Sequence, residues 1–470
     1  MQPLFPHQEV GAQRIAKGQP TYLGFDMGIG KTRTFIEAVK QRGVRRVLVL
    51  CPASAVLVWK REITRWQFAA FVNVVKNPGQ LAMEPQGAAT AYYIVTHGLM
   101  SQKDGAVAEA LCRVKPFAMT AIDEAQAFNS ADTNRVKALR RAAIRLGLIV
   151  PLSGTPMKNH AGELYTLLNL CWPQGLKGRG GQPMSRFEYE DRFCRVAHKT
   201  FGGSRMIRVI EGSKNLDQLK QIIAPFMSRV RKEEVFKDLP PIIWDYVPVP
   251  LDATMMPGPE AEKFETVITG ILKHEGATAS LDVLTEAMRV MGNSVVLMTL
   301  RRMLGLAKLR GATEYIDDML VNLPPDRKVL VFAHHADVIT SLFNHLGEYS
   351  PAMLTGSSRP KEREQAVDKF LTDPACRVFI GNIQAAGTAI TLVGPKCKCS
   401  DVIFVESSWT PMDNAQAACR VHRIGQQDGV VARMLSAAGT IDDLIQSLLA
   451  RKAREFTQLF DDAKGIVDNH

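Results

Sequence analysis

The chain has 470 residues, which is too long for one ordinary core and predicts two or three domains. Its 58 lysines and arginines exceed its 47 acidic residues, and the net charge of +11 suits a polyanionic partner or simply a basic surface. No apolar run reaches the ~18–20 residues of a membrane span, and the N-terminal segment lacks the apolar core of a secretory signal. The eight scattered cysteines predict reduced thiols without bound zinc, in a cytoplasmic, nucleoid or nuclear setting.

Short β-branched apolar runs alternate with helical stretches through the first part of the chain. The runs are residues 21–25, 47–51, 92–96, 118–123 and 148–153. This alternation predicts an α/β lobe, residues 1–172, whose parallel sheet binds ligands at the carboxyl ends of its strands.

The alternation stops between about Cys171 and Asp252, where strand signals are poor, and residues 260–320 then have a mostly helical pattern. Strands are predicted again at 329–332, 378–381, 402–405 and 430–435, followed by an amphipathic helix from Ile441 to about Phe460. We therefore predict a helical insert at 173–320, a second α/β lobe at 321–450, and a C-terminal helix and tail at 451–470.

A glycine-rich segment follows the first predicted strand and supplies Gly28, Ile29, Gly30, Lys31 and Thr32. A phosphate-binding loop needs glycines whose N–H groups turn inward, a lysine for the β and γ phosphates, and a hydroxyl for Mg²⁺. The general pattern has one more glycine five positions before Gly30, so this shortened match leaves chance as the alternative. Its place between a strand and a helix favours an ATP site.

An acidic pair, Asp123 and Glu124, ends the predicted strand at 118–123. A phosphate-loop enzyme needs a carboxylate near Mg²⁺ and a second group that deprotonates the attacking water. We assign the metal to Thr32 and Asp123 and the role of base to Glu124. An exposed acidic turn is the alternative interpretation.

Two arginines, Arg420 and Arg423, lie in a segment at 416–426 whose pattern predicts a short helix. Their i,i+3 spacing would place both on one helix face. Arginines from a second domain stabilise the charge that develops on the γ-phosphate, which makes hydrolysis depend on closure of the two lobes. A solvated basic helix is the alternative.

Taken in order, these segments resemble the motifs of helicase superfamily 2, and within it the Swi/Snf-type ATPases. Gln8 is similar to the family's adenine-reading glutamine. Residues 26–32, 51–54, 123–126, 152–156, 384–392 and 416–426 resemble motifs I, Ia, II, III, V and VI, and residues 225–232 resemble the family's insert. Residues 304–308 and 332–335 are similar to the HepA-related annealing-helicase branch. The resemblance implies two RecA-like phosphate-loop lobes that couple ATP hydrolysis to translocation on double-stranded DNA.

The resemblance also implies coupling residues and a DNA track. Gln126, Ser153 and Thr155 would couple the ATP site to DNA, although the family usually has histidine at the position of Gln126. The expected contacts, mainly to phosphates, are Ser54, Thr96, Lys158, Arg229, His334, Thr355, Gly356, Thr388 and Trp409. A solvated face is the alternative for the basic residues, and a core position is the alternative for Trp409.

Three functions follow from this sequence. The first is an ATP-driven translocase on duplex DNA, forked or branched DNA included, that remodels or re-anneals DNA or displaces bound proteins. The second is a strand-separating helicase on single-stranded DNA or RNA, and the third is an ATP-regulated nucleic-acid scaffold. The insert favours the first over the second, and the intact catalytic residues argue against the third. No histone-reading, zinc or nuclease module is recognised, so we expect a bare motor without a membrane partner.

Overall fold

The computed structural model describes residues 3–103, 105–178, 180–201, 205–252, 294–383, 390, 392–394, 397–423, 426, 428–437 and 440–460. The chain divides into two compact units. The first contains the residues up to Arg195 together with Gly212–Lys237 and the end of the last helix from Gln458, and the second contains Val196–Glu211 and Asp238–Thr457. Within the described ranges, no helix combines the length and the apolar character that a membrane crossing requires.

A parallel sheet forms the centre of the first unit. The strands up to residue 230 are β1 (Tyr22–Phe25), β2 (Arg46–Cys51), β3 (Phe71–Val74), β4 (Ala91–Thr96), β5 (Met119–Asp123), β6 (Leu148–Leu152), β7 (Cys194–Phe201), β8 (Arg205–Ser213) and β9 (Met227–Val230). The sheet has the order β3-β4-β2-β5-β6-β1-β9, and β7 and β8 form a separate two-stranded sheet. Strand β2 is buried along its whole length, as expected for a parallel sheet covered on both faces.

Helices connect the strands of the first unit. They are α1 (Pro6–Ala16), α2 (Lys31–Arg42), α3 (Val56–Trp66), α4 (His97–Met100), α5 (Ala106–Arg113), α6 (Asn134–Ala142), α7 (Tyr165–Cys171), α8 (Arg186–Phe193), α9 (Leu216–Ile223) and α10 (Lys232–Val235). Gly30 directly precedes helix α2 and Gly43 directly follows it, and both glycines have left-handed backbone angles. Glycine is the usual residue where a helix ends in this conformation.

Gly147 and Gly43 provide a matched test of the packing in the first unit, because their φ angles are +59° and +65°. A Cβ atom on Gly147 would lie 2.3 Å from the carbonyl oxygen of Ala118, whereas a Cβ atom on Gly43 meets nothing within 4 Å. We expect Gly43→Ala to lower the free energy of unfolding by about 1–2 kcal/mol through backbone strain alone. Gly147→Ala should lower it by about 3–5 kcal/mol, because backbone must also shift. Urea denaturation measures both, and equal losses would contradict the steric argument.

The second unit contains another parallel sheet. Its strands are β10 (Ile242–Pro248), β11 (Arg327–Ala333), β12 (Ala352–Leu354), β13 (Val378–Asn382), β14 (Lys398–Phe404) and β15 (Val430–Ser436). Their order is β10-β15-β14-β11-β13-β12. The helices are α11 (Ser294–Ala307), α12 (Leu309–Asn322), α13 (Ala336–His345), α14 (Pro360–Thr372), α15 (Pro411–Ala418) and α16 (Ile441–Phe460). Apolar side chains pack into clusters that include residues of the central strands β11, β13 and β14.

The predicted α/β fold class with two parallel-sheet lobes is confirmed, and each of the nine predicted strands overlaps an observed one. The expectation of few strands between Cys171 and Asp252 is wrong, because β9 pairs with β1 and β10 pairs with β15. Both are edge strands that carry polar side chains, so neither has the continuous apolar pattern of a central strand. The described part of the predicted insert contains the strands β7–β10, the helices α8–α11 and most of α12, and residues 253–293 lie outside the described ranges.

Candidate functional site

The predicted site residues of the first unit lie at the carboxyl edge of its sheet. The loop at 26–30 follows β1, Ser54 follows β2, Thr96 ends β4, Asp123 ends β5, and Ser153 and Thr155 follow β6. Because all of these strands are parallel, their carboxyl ends meet at the same edge. The sheet therefore brings together residues that are up to 129 positions apart in the chain, from Asp26 to Thr155.

The loop between β1 and α2 has the backbone that a phosphate cradle needs. Gly28 and Gly30 have φ angles of +85° and +91°, which side-chain-bearing residues rarely adopt. A Cβ atom on Gly28 would meet nothing within 4 Å, whereas one on Gly30 would lie 2.0 Å from Nε2 of Gln8. The loop therefore leaves open space at Gly28 and is closed at Gly30 by a buried glutamine.

Gln8 and His7 hold the backbone of this loop. Nε2 of Gln8 donates to the carbonyl of Ile29 at 3.2 Å, and Oε1 of Gln8 accepts the N–H of Phe5 at 3.1 Å. Nε2 of His7 lies 2.9 Å from the same Ile29 carbonyl oxygen. The structure thus places the predicted adenine-reading Gln8 against the loop, and the contact of His7 was missed by sequence reasoning.

Lys31 is the first residue of α2 and its side chain turns back onto the loop. Its Nζ donates to the carbonyls of Phe25 at 2.9 Å and Asp26 at 3.1 Å. Burial lowers the pKa of Lys31, and the negative charges of Glu124 and Asp123 oppose this shift. The ammonium and the acidic pair therefore interact within one site. Thr32 follows in the first turn of α2 and is half-buried.

The acidic pair has a strained and strongly constrained geometry. Oδ2 of Asp123 accepts the indole N–H of Trp59 at 2.8 Å, and Oδ1 accepts the N–H of Glu124 at 3.0 Å. Burial, followed by the charge of Glu124, raises the pKa of Asp123 to about 6. Glu124 has a φ of 47°, a left-handed angle that is uncommon for a residue with a side chain and is frequent at functional sites.

A chain of hydrogen bonds connects the acidic pair with the loop after β6. Nε2 of Gln126 donates to Oε2 of Glu124 at 2.6 Å, and Oγ of Ser153 donates to Oε1 of Gln126 at 2.5 Å. Oγ of Ser153 also accepts the N–H of Thr155 at 2.9 Å. The amide of Gln126 thus uses both its donor and its acceptor. Although the family usually has histidine here, the structure joins the two loops through Gln126.

Three predicted DNA contacts of the first unit have different surroundings. Ser54 is exposed in the turn after β2. Oγ1 of Thr96 accepts the N–H of Leu99 at 3.2 Å and so caps α4. Lys158 is half-buried, and its N–H donates to Oε2 of Glu163 at 2.7 Å. Their roles in DNA binding stay predictions.

Arg229, a fourth predicted DNA contact, lies against the phosphate loop. Its Nη1 is 2.7 Å from Oδ1 of Asp26 and donates to the carbonyl of Gly24 at 2.8 Å. A longer bond of 3.4 Å reaches the carbonyl of Gly154. Sequence reasoning missed this placement, because β9 itself was not predicted.

The predicted catalytic arginines lie in the second unit, but not on a helix. Helix α15 ends at Ala418, and Arg420 and Arg423 are in the turns that follow. Arg420 donates from Nη1 to the carbonyl of Ile390 at 3.0 Å, and its own carbonyl accepts the N–H of Leu392 at 3.1 Å. The backbone N–H of Arg420 donates to the carbonyl of Ala417 at 3.0 Å, which is an i→i−3 bond in place of the i→i−4 bond that would continue the helix. The expectation of a short helix with both arginines on one face is therefore wrong.

A buried carboxylate organises the loop after β11. Oε2 of Glu406 accepts the N–H groups of His334 and His335, each at 2.9 Å, and Oε1 lies 2.6 Å from Nδ1 of His335. Burial, followed by the charge of Arg301, lowers the pKa of His334 to about 4. His334 is therefore neutral near pH 7 in the protein without DNA. Glu406 was missed by sequence reasoning.

The other predicted DNA contacts of the second unit also follow strands. Thr355 is half-buried and Gly356 is exposed in the turn after β12. Trp409 is half-buried after β14, packs against the core of its own unit, and has the guanidinium of Arg301 5.2 Å from its ring centroid. Thr388 lies outside the described residues. Trp409 therefore packs against the core as the alternative interpretation expected, and its contact with DNA stays a prediction.

Two family models match the chain. The SNF2-related domain matches residues 14–277, which is more than half of the 470 residues. The Helicase conserved C-terminal domain matches residues 311–425. The two matched ranges contain the phosphate loop, the acidic pair and both arginines.

Curated relatives are similar along nearly the whole chain. The DNA annealing helicase and endonuclease ZRANB3 of Bos taurus is 29% identical over 460 residues, which are 96% of this chain and 40% of that protein. The SWI/SNF-related matrix-associated actin-dependent regulator of chromatin subfamily A-like protein 1 of Xenopus tropicalis is 27% identical over 464 residues, 97% of this chain and 45% of that protein. The chain therefore spans less than half of the length of these relatives.

A solved structure, the Sulfolobus solfataricus SWI2/SNF2 ATPase core in complex with dsDNA, covers 98% of both chains at 20% identity and a TM-score of 0.42. The family matches agree with the predicted enzyme class, a DNA-dependent ATPase of the helicase type, and the relatives agree with the predicted annealing-helicase branch. The chain belongs to the SNF2-related domain family.

Proposed function

We propose that this chain couples the hydrolysis of Mg²⁺-ATP to translocation on double-stranded DNA, and thereby remodels or re-anneals DNA or displaces bound proteins. The observation that supports this most strongly is the hydrogen-bonded connection from Glu124 through Gln126 to Ser153. It joins the proposed catalytic base to the loop after the neighbouring strand, which is the kind of link that a motor needs between ATP and its track.

The residues at the phosphate loop fit Mg²⁺-ATP. Gly28, Ile29, Gly30, Lys31 and Thr32 would surround the phosphates, while Gln8 would read the adenine. The Thr32 hydroxyl and the Asp123 carboxylate are hard oxygen ligands, which Mg²⁺ prefers, and Mg²⁺ typically uses only one or two protein groups beside phosphates and water. Bound Mg²⁺ would neutralise charge on the β and γ phosphates.

Each charged residue then has a distinct role. Lys31 leaves the loop carbonyls to contact the β and γ phosphates. Glu124 orients the attacking water and accepts its proton. Arg420 and Arg423 are proposed to stabilise the charge on the transferred phosphoryl group.

Duplex DNA is the proposed track. The net charge of +11 favours a polyanion, and two similar proteins are named as a DNA annealing helicase and as a regulator of chromatin. We propose Ser54, Thr96 and Lys158 as contacts in the first unit and His334, Thr355, Gly356, Thr388 and Trp409 in the second. Contacts to phosphates suit a motor, because they do not depend on sequence.

Gln126→Ala tests the proposed coupling. The change removes both hydrogen bonds of the Gln126 amide. We therefore expect the ATPase rate with duplex DNA to fall at least about tenfold more than the ATPase rate without DNA, which corresponds to a loss of coupling free energy of about 1.4 kcal/mol. Steady-state ATPase assays with and without duplex measure this ratio. Gln102→Ala, at an exposed glutamine, is the control. An unchanged ratio in Gln126→Ala would show that the amide does not couple the sites.

Displacement of a third strand tests translocation itself. A triplex-forming oligonucleotide on linear duplex should be released in the presence of Mg²⁺-ATP, without separation of the duplex strands. Release that requires a free single-stranded end, or that occurs only on RNA, would instead support the strand-separating helicase. Binding of DNA without any ATP-dependent release would support the scaffold.

A further inference from the structure

We propose that Arg229 is a positioning residue for the phosphate loop and not a DNA contact. The proposal rests on the proposed ATPase function and deepens it, because it adds a residue from β9 to the ATP site. The alternative, predicted from the sequence, is that Arg229 forms part of a basic wall along DNA.

Strand β9 places Arg229 beside the end of β1. Gly24 and Arg229 are partners in the parallel register of β1 and β9, and the N–H of Asp26 donates to the carbonyl of Val230 at 3.0 Å. The sheet therefore continues to the first residue of the phosphate loop. Only 14% of the Arg229 side chain is exposed, so most of it has left water.

The guanidinium contacts one side chain and two backbone carbonyls around the site. Its ion pair with Asp26 is 2.7 Å long, and its bonds to the carbonyls of Gly24 and Gly154 are 2.8 and 3.4 Å long. Gly24 belongs to β1, Asp26 starts the phosphate loop, and Gly154 lies between Ser153 and Thr155. One side chain therefore fixes both loops that the proposed coupling connects.

Asp26 transmits this contact to Lys31. The second carboxylate oxygen, Oδ2, accepts the N–H of Lys232 at 2.9 Å, so both oxygens of Asp26 are held by residues at or after the end of β9. The carbonyl of the same Asp26 accepts Nζ of Lys31 at 3.1 Å. The contacts that hold the Asp26 side chain therefore also hold the peptide carbonyl to which Nζ of Lys31 donates.

The charge of Arg229 is a second reason why its ion pair with Asp26 would favour nucleotide binding. A carboxylate at the start of a phosphate loop would repel a triphosphate, and the positive charge of Arg229 offsets that repulsion. Arg231, two residues further on, pairs instead with Glu234 at 2.8 Å and serves as a matched control.

The test compares Arg229→Ala, Arg229→Lys, Asp26→Asn, the double variant Asp26→Asn/Arg229→Ala, and Arg231→Ala. The dissociation constant of a fluorescent ATP analogue is measured without DNA, and that of linear duplex DNA is measured at several salt concentrations. KM for ATP and kcat are measured with saturating duplex. Circular dichroism and thermal unfolding report whether each variant is folded.

We expect Arg229→Ala to weaken nucleotide binding and to raise KM for ATP about tenfold, with duplex affinity and its salt dependence as in the wild type. The nucleotide affinity of Arg229→Lys should lie between those of Arg229→Ala and the wild type, because lysine keeps the charge but not the planar set of donors. The double variant should bind nucleotide at least about threefold better than Arg229→Ala, since the uncompensated carboxylate is gone. Arg231→Ala should bind nucleotide like the wild type.

The opposite pattern would overturn the proposal. Arg229→Ala with normal nucleotide affinity, weaker duplex binding and a salt slope smaller by about one would identify a DNA contact. If Arg229→Ala does not fold, the nucleotide affinities of Arg229→Lys and Asp26→Asn test the proposal instead. Wild-type affinity in both variants would refute it. A wild-type protein without DNA-stimulated hydrolysis would refute the proposed function instead, while the binding series would still decide the role of Arg229.

Discussion

Glu124→Gln is expected to reduce ATP hydrolysis about a thousandfold, within the range that general-base catalysis contributes, while ATP and duplex DNA still bind. Glutamine keeps an oxygen that can accept the bond from Nε2 of Gln126, so the hydrogen-bonded connection to Ser153 survives. What it loses is the ability to accept a proton from water. Because the left-handed backbone of residue 124 is unchanged, the loss lies in the chemical step and not in folding.

Single-turnover hydrolysis and binding of a fluorescent ATP analogue separate these effects for Glu124→Gln. Asp132→Asn is the matched control, since Asp132 is an exposed acidic residue eight positions further along. The control should hydrolyse ATP like the wild type. Wild-type turnover by Glu124→Gln would show that another group is the base.

Lys31→Ala is expected to weaken ATP binding at least about a hundredfold, which corresponds to about 2.7 kcal/mol. The ammonium is the charged donor of the phosphate loop, and each hydrogen bond to a charged group contributes about 1.5–3 kcal/mol. Hydrolysis should be lost at any practical ATP concentration.

Equilibrium binding of a fluorescent ATP analogue measures the effect of Lys31→Ala, and duplex binding without ATP checks that the variant is folded. The control is Lys40→Ala, near the other end of α2, where Lys40 pairs with Glu37 at 3.0 Å. This variant should bind ATP within about twofold of the wild type, because Lys40 lies in the last turn of α2, at the opposite end of the helix from the phosphate loop. Equal nucleotide affinity in Lys31→Ala and the wild type would contradict the assignment of the loop before α2 as the ATP-binding loop.

The sequence was sufficient for the central strands and for the loops that follow them. A strand buried on both faces must be apolar along its length, so β2, β5 and β11 are visible as continuous runs. The phosphate loop and the acidic pair follow such runs, and their place at the carboxyl edge needs only the knowledge that the sheet is parallel. The lobe that contains each motif was therefore predictable.

Contacts between distant segments could not be read from the sequence. The pattern of Met227–Val230 contains a serine and an arginine, and only its pairing with β1 places Arg229 beside Asp26. The turn that contains Arg420 contacts a distant segment, because the carbonyl of Arg420 accepts the N–H of Leu392 and Nη1 of Arg420 donates to the carbonyl of Ile390. The two-sided bonding of Gln126 likewise depends on the fold, because its partners Glu124 and Ser153 come from different strand ends.

The most direct test of the central claim is the steady-state ATPase rate at one fixed salt concentration with no nucleic acid, linear duplex DNA, single-stranded DNA, a fork and duplex RNA, with Glu124→Gln as the inactive control. The proposed function predicts strong stimulation by plain duplex DNA and further stimulation by the fork if the protein acts as the annealing branch does. Stimulation by single strands or RNA alone, or none by any nucleic acid, would contradict the assignment of duplex DNA as the track.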